Sequence, residues 1–162
     1  MKKQNFLAKL KKEGKLELVN PSDEICLSYL EKAENCLRSA RLLLSNRLYE
    51  NSVSMSYYAM YNSLTALLFK TGIKCENHSG SIILLNRLFG EAFLFKIISF
   101  AKEERIDKQY YVSSKEDFRL TEESAEDMLE KAESFLVDMK LVISRINNED
   151  IESARKKFDE LF

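Results

Sequence analysis

The stretch VSMSYYAMYNSLTALL, Val53 to Leu68, places three tyrosines and two methionines on one helix. Val53, Tyr57, Met60, Leu64 and Leu67 recur at spacings of four and three, so they share a face that packs against a neighbouring helix. Adjacent helical positions diverge by about 100 degrees, and Tyr57, Tyr58 and Tyr61 therefore cannot all point into one core. The Tyr57 stripe reads as core filling. The second tyrosine face carries Tyr58 and Asn62 four apart, a phenol and an amide that can serve a ligand, a dimer contact or a hydrogen bond inside the bundle.

The same reading extends outward in both directions. This helix is expected over about Tyr49 to Thr71, ended by Gly72 as its C′ residue. Before it, Asn20-Pro21-Ser22-Asp23 is a turn and cap signal, with Ser22 as N-cap of a long helix reaching about Asn46. Along that helix Cys26, Leu30, Ala33, Leu37, Ala40 and Leu44 form a second seam, and the short link after Arg47 makes the pair an antiparallel hairpin. After it, GIKCENHSG, Gly72 to Gly80, reads as a loop with no strand-like alternation, leading to an apolar segment that Gly90 kinks or divides before Ala101. The pattern weakens between about Lys102 and Leu120. Thr121-Glu-Glu-Ser then starts a last long helix with Ala125, Leu129, Ala132, Leu136, Met139, Ile143 and Ile146 in register. A short tail helix after Asn148 carries Ile151, Ala154, Phe158 and Leu161. The expected fold is all-α, an up-and-down bundle of four to five long helices with short flanking helices.

The chain has 162 residues with only four glycines and one proline, enough for one core and too few breaks for many short elements. A single domain over 1–162 is expected, with a basic N-terminal arm over 1–20 and a short C-terminal helix over 148–162. The formal net charge of −1 gives no whole-chain attraction to nucleic acid or anionic membrane, so any such binding must be local. Lys2, Lys3, Lys9, Lys11, Lys12 and Lys15 face one acid, Glu13, in the first fifteen residues; they read as a solvated helix edge or as contacts for phosphate or an acidic partner. No signal peptide is apparent, and the richest apolar run is broken by Asn86, Arg87, Glu91 and Lys96, so a cytoplasmic protein without a membrane span is expected. Cys26, Cys36 and Cys75 form no CxxC pair and one histidine accompanies them, which assembles no zinc site; neither metal nor cofactor is expected.

Four segments, in order, resemble the HEPN family, the helical domains often paired genetically with minimal nucleotidyltransferases. Val53 to Asn62 is similar to the family's "YYAMF" helix. Gly72 to Gly80 resembles the "kGi…tH.G" loop, Arg105 to Tyr110 an "R…DY" segment, and Thr121 to Val137, through Ala125, Ala132 and Phe135, the closing "A…A..F" helix. The resemblance covers about Ser22 to Ile146. It implies a helical bundle, a homodimer with a cleft near the interface, and a nucleotidyltransferase partner.

The departures bear on activity. Met55 stands where many relatives have arginine, and Gln109 where the "DY" acid would stand. The family's ribonucleases carry an arginine followed four to six residues later by histidine, whereas Arg105 is followed at that distance by Tyr110 and Tyr111. The only histidine, His78, has no arginine at that spacing. Metal-independent cleavage through the RNA 2′-hydroxyl needs a base and a cation, and tyrosine, with an unperturbed pKa of about 10, is a poor base at neutral pH. Arg105 could still hold phosphate by a bidentate contact.

Three functions follow as expectations. The first is a toxin-like or nucleotide- or RNA-binding HEPN partner of a nucleotidyltransferase, without the usual ribonuclease dyad. The second is a ribonuclease with a rearranged site built from Arg105, Tyr110 and His78. The third is a structural dimeric adaptor. Tyr58, Asn62 and Tyr111 are the candidate binding residues, and Arg105, Tyr110 and His78 the candidate catalytic ones.

Overall fold

The computed structural model describes the backbone of residues 2–110 and 120–162 and the side chains of 5–105 and 120–162. Within these, the chain forms α1 (Lys2–Lys12), β1 (Leu16–Leu18), α2 (Asp23–Ser45), α3 (Tyr49–Lys70), β2 (Ile73–Cys75), α4 (His78–Phe89), α5 (Ala92–Tyr110), α6 (Glu122–Arg145) and α7 (Asn148–Asp159). The fold is an all-α bundle.

Helix α3 lies at its centre, with α2, α4, α5, α6 and β2 packed around it. From Asn62 to Leu68 every side chain is buried, which is how a helix apolar on more than one face must be accommodated. The stripe of Val53, Tyr57, Met60, Leu64 and Leu67 is entirely inside. Close approach of its neighbours depends on small residues: Ala33 and Ala40 of α2, Ala59 and Ala66 of α3 and Ala132 of α6 are all fully buried. At one such crossing Ser52 Oγ donates to the Ala40 carbonyl oxygen at 2.9 Å.

Local signals set the helix limits. Ser22 caps α2 by accepting from Ile25 N–H, and Thr121 and Asn147 form capping boxes at the starts of α6 and α7. The α2–α3 link turns at Arg47, which adopts φ 59° while its N–H donates to Leu44 O and that of Leu48 to Leu43 O. Gly90 ends α4 and so divides the apolar run into two helices. At the N-terminus Leu7 and Leu10 of α1 are buried while Lys9, Lys11 and Lys12 stay exposed.

The strands correct the sequence reading of 72–80 as plain loop. Leu16–Leu18 and Ile73–Cys75 pair antiparallel with Leu16 opposite Cys75, Glu17 opposite Lys74 and Leu18 opposite Ile73. Three residues give little more than one period of alternation, and the pairing joins distant parts of the chain, so no local pattern marks it.

Gly72 connects this ribbon to the bundle. Its φ is 72°, and a Cβ there would lie 2.5 Å from Val19 O and against Arg155 Nη1. That guanidinium donates to the carbonyl oxygens of Val19 at 2.8 Å and Gly72 at 2.9 Å, so α7 is tied to both strands' margins at one point. Gly72→Ala should lower unfolding stability by about 1–3 kcal/mol or more through left-handed strain and loss of these bonds. Urea denaturation measures it, and an unchanged midpoint would show that the α7 junction relaxes freely.

Candidate functional site

The site begins with a folding problem at Tyr57. Its ring is completely buried, and a buried phenol needs a hydrogen-bond partner. His78 supplies it: Tyr57 Oη and His78 Nδ1 are 2.7 Å apart. The β1–β2 pairing delivers the chain to Asn77, which caps α4 by accepting from Gly80 N–H at 2.9 Å. His78 is therefore the first helical residue rather than a cap. Gly80 lets this turn sit close, since a Cβ would lie 2.7 Å from Leu10 Cδ1 and 2.9 Å from Cys75 Sγ. The imidazole is then held flat on Tyr61, with ring centroids 3.7 Å apart and planes 13° from parallel, and edge-on to Tyr58 at 6.3 Å.

Helix α5 adds the charge. The Arg105 guanidinium carbon lies 4.7 Å from the centre of the Tyr58 ring and 5.3 Å from that of Tyr57, within cation–π range. Its Nε is buried and has no hydrogen-bond partner among the described residues. One turn earlier, Lys102 Nζ donates to Ser79 Oγ at 2.7 Å. The fold thus assembles an imidazole, a guanidinium, an ammonium and three phenols from α3, α4 and α5.

These neighbours set protonation states. Burial, then the positive charges of Arg105 and Lys102, push the His78 pKa below its usual value, because each disfavours a further cation. Burial pushes the Tyr57 phenol well above its ordinary value, with Arg105 acting in the opposite direction. Tyr57 therefore keeps its proton at neutral pH and His78 is neutral. With the imidazole proton on Nε2 the phenol donates to Nδ1, and with it on Nδ1 the ring donates to the phenol oxygen.

Beside this cluster, between α2, α3 and β2, is a cavity of about 490 Å³. Tyr58, Tyr61 and Asn62 form part of its wall, with Tyr29, Lys32 and Cys36 opposite. Asn62 is buried, and its Nδ2 donates to Cys36 Sγ at 3.5 Å. Tyr58 and Asn62, read as one face from their spacing, do line one space. Met55 lines it too. Among the described residues no group of three His, Cys, Asp or Glu is gathered that could hold a metal ion, and no helix is long and apolar enough to cross a membrane.

His78 and Arg105 are brought together, although their order and spacing in the chain do not suggest it. The roles read for Tyr110 and Tyr111 fall outside the described residues: α5 runs through Tyr110, but its side chain and all of Tyr111 are not described. Sequence reasoning missed Lys102 and Ser79 as well as the pairing of Tyr57 with His78, twenty-one residues away. The usable signal was chemical, since a tyrosine in a core stripe demands a polar partner.

With this arrangement in view, comparison with known proteins is decisive for the family. The HEPN domain matches residues 27–142. The chain belongs to the HEPN domain family. This HEPN protein is 31% identical over 121 residues to a Methanocaldococcus jannaschii protein named "Putative toxin", covering 72% of this chain and 87% of that protein. A second protein of that organism with the same designation is 30% identical over 111 residues, covering 66% and 74%. A Thermotoga maritima UPF0332 protein is 31% identical over 123 residues, covering 73% and 90%.

The depressed His78 pKa has a thermodynamic consequence for the HEPN bundle. Between the unfolded value, about 6.5, and the lower folded one, the unfolded chain binds more protons, so stability is lost as pH falls through this window. The wild type should lose stability between about pH 7 and pH 5 more steeply than His78→Gln. Urea midpoints across that range test it; parallel profiles would mean that the imidazole titrates normally in the folded state.

Proposed function

We propose that this chain is a cytoplasmic, toxin-like HEPN protein that binds RNA or nucleotide phosphate at Arg105 and Lys102, and that it acts as a homodimer with a minimal nucleotidyltransferase as partner. The observation that carries the reading is Arg105: a guanidinium resting on tyrosine faces, with a buried Nε–H that lacks a partner among the described residues. A phosphate oxygen would satisfy that donor by a charge-assisted bond. Lys102, one turn earlier on the same helix, adds a second positive charge. The toxin-like character is supported by the names of the relatives, and the nucleotidyltransferase by the family resemblance.

A second reading is supported by the same groups. Metal-independent RNA cleavage would use His78 to take the 2′-hydroxyl proton while Arg105 and Lys102 stabilise the phosphorane. It requires the tautomer in which Nδ1–H donates to the Tyr57 oxygen and Nε2 offers a lone pair; phosphate binding at Arg105 and Lys102 carries no such condition.

Fluorescence anisotropy of labelled single-stranded RNA in chelator separates the two. Wild type should bind in a salt-sensitive manner without cleaving, and Arg105→Ala should weaken binding about 10- to 100-fold, the worth of one or two hydrogen bonds to a charged group. Rapid cleavage abolished by His78→Ala would establish the second reading. Undiminished affinity in Arg105→Ala would remove Arg105 from the phosphate site. Co-expression with a nucleotidyltransferase encoded beside it should yield a salt-sensitive complex, and failure to associate at low salt would count against the partnership.

A further inference from the structure

The cavity between α2 and α3 has the makeup of a ligand site rather than of a packing fault. At about 490 Å³ it falls within the range of about 300–1,000 Å³ usual for small-molecule sites. Aromatic rings form part of its wall on both the α2 and the α3 side. Tyr29 is fixed by parallel stacking on Phe69, centroids 5.5 Å apart and planes 9° from parallel, and Tyr58 and Tyr61 stand on the α3 side. The Lys32 ammonium lies 5.6 Å from the centre of the Tyr29 ring. The cavity's polar lining includes Thr65, Lys74 and Glu76 as well as the amide of Asn62, which is buried and bonded at its nitrogen to the soft Cys36 sulfur. A second N–H and a carbonyl oxygen on that amide remain for a planar partner. A hydrocarbon ligand would leave them unmatched at a cost, whereas a heteroaromatic edge with a donor beside an acceptor matches them.

We infer that this cavity receives an unstacked nucleobase whose attached phosphate reaches Arg105 around the Tyr58 ring. Tyr58 joins the two halves: its ring lines the cavity and carries the Arg105 guanidinium on a face, 4.7 Å from its centre. The base is held by aromatic faces and read by Asn62, and the phosphate takes up the buried Arg105 Nε–H. This rests on the phosphate-binding reading above and adds to it a base site on α2 and α3. The shared chemistry is a base with a phosphate, supplied by a free nucleotide or by an RNA strand.

The half-buried Cys36 thiol on the cavity wall reports occupancy independently of phosphate binding. Its alkylation by N-ethylmaleimide, followed by peptide mass spectrometry, is measured with adenosine, adenosine monophosphate, ribose 5-phosphate or a single-stranded oligoadenylate. Calorimetry gives the affinities. Adenosine monophosphate should slow Cys36 alkylation at least about fivefold at saturation and bind about tenfold or more tighter than ribose 5-phosphate, in line with base–aromatic stacking. Cys36→Trp should abolish that advantage while ribose 5-phosphate binding persists, and Lys32→Ala, an exposed substitution, should weaken it without a folding defect. In Arg105→Ala adenosine should still protect Cys36, while ribose 5-phosphate binding falls. Protection by the oligonucleotide alone would assign the base to an RNA strand; protection by the monomer also would admit free nucleotides. If ribose 5-phosphate binds but no base-bearing probe protects Cys36, the base site is wrong and the phosphate site stands. If adenosine protects and ribose 5-phosphate does not bind, the phosphate reading falls instead. If no probe binds or protects, both are overturned.

Discussion

A phenol buried at the centre of a helix bundle constrains everything near it. Tyr57 has no access to water, so its hydroxyl must be met from within, and an unmet buried hydroxyl costs about 1–3 kcal/mol. The partner comes from an element outside α3, His78 at the start of α4. Meeting the requirement with His78 fixes the start of α4, and with it the path of β2, the pairing of β2 with β1 and the close seat of α1 over Gly80. What looks like peripheral structure, a three-residue ribbon and a short amphipathic helix, is the scaffold that holds one imidazole against α3.

The charges of α5 are added to this neutral core at a cost. Arg105 and Lys102 both raise the potential at His78, and the Arg105 Nε–H is buried without a partner among the described residues. Cation–π contact with Tyr57 and Tyr58 compensates in part. A structural role alone would favour an apolar side chain there, since burying an unpaired polar group costs stability. A guanidinium in that place suits the phosphate site proposed above.

Sequence periodicity carried most of the fold. The four-and-three seams of Cys26 to Leu44, Val53 to Leu67 and Ala125 to Ile146 are helices α2, α3 and α6, and Ser22, Gly72, Gly90 and Thr121 mark limits because capping and left-handed turns have residue-specific chemistry. The strands were not legible, being too short for alternation to stand out. The site was legible only in pieces. Tyr58 and Asn62 share a cavity wall as their spacing implied, but the meeting of His78 with Tyr57 and Arg105 depends on how α4 and α5 fold over α3. Family spacing directed attention along the chain from Arg105, whereas the imidazole lies before it in sequence. Local patterns report neighbours along a helix, not across a bundle.

The same contacts would couple proton binding to binding of the proposed phosphate. Protonating His78 makes its Nδ1–H a donor to the Tyr57 oxygen, and the phenol proton then needs another acceptor. Together with burial and two positive neighbours, this keeps the imidazole neutral. A phosphate beside Arg105 and Lys102 would cancel part of their field and accept from the imidazolium, raising the His78 pKa in the complex relative to the free protein. The complex then holds more protons than its components between those two values, so affinity must increase as pH falls through that window. Calorimetric titration with ribose 5-phosphate in buffers of different ionisation enthalpy, near about pH 6, should reveal proton uptake that disappears in His78→Gln. Uptake unchanged in that variant would place the titrating group elsewhere, for instance on the phosphate itself, and would uncouple His78 from the anion.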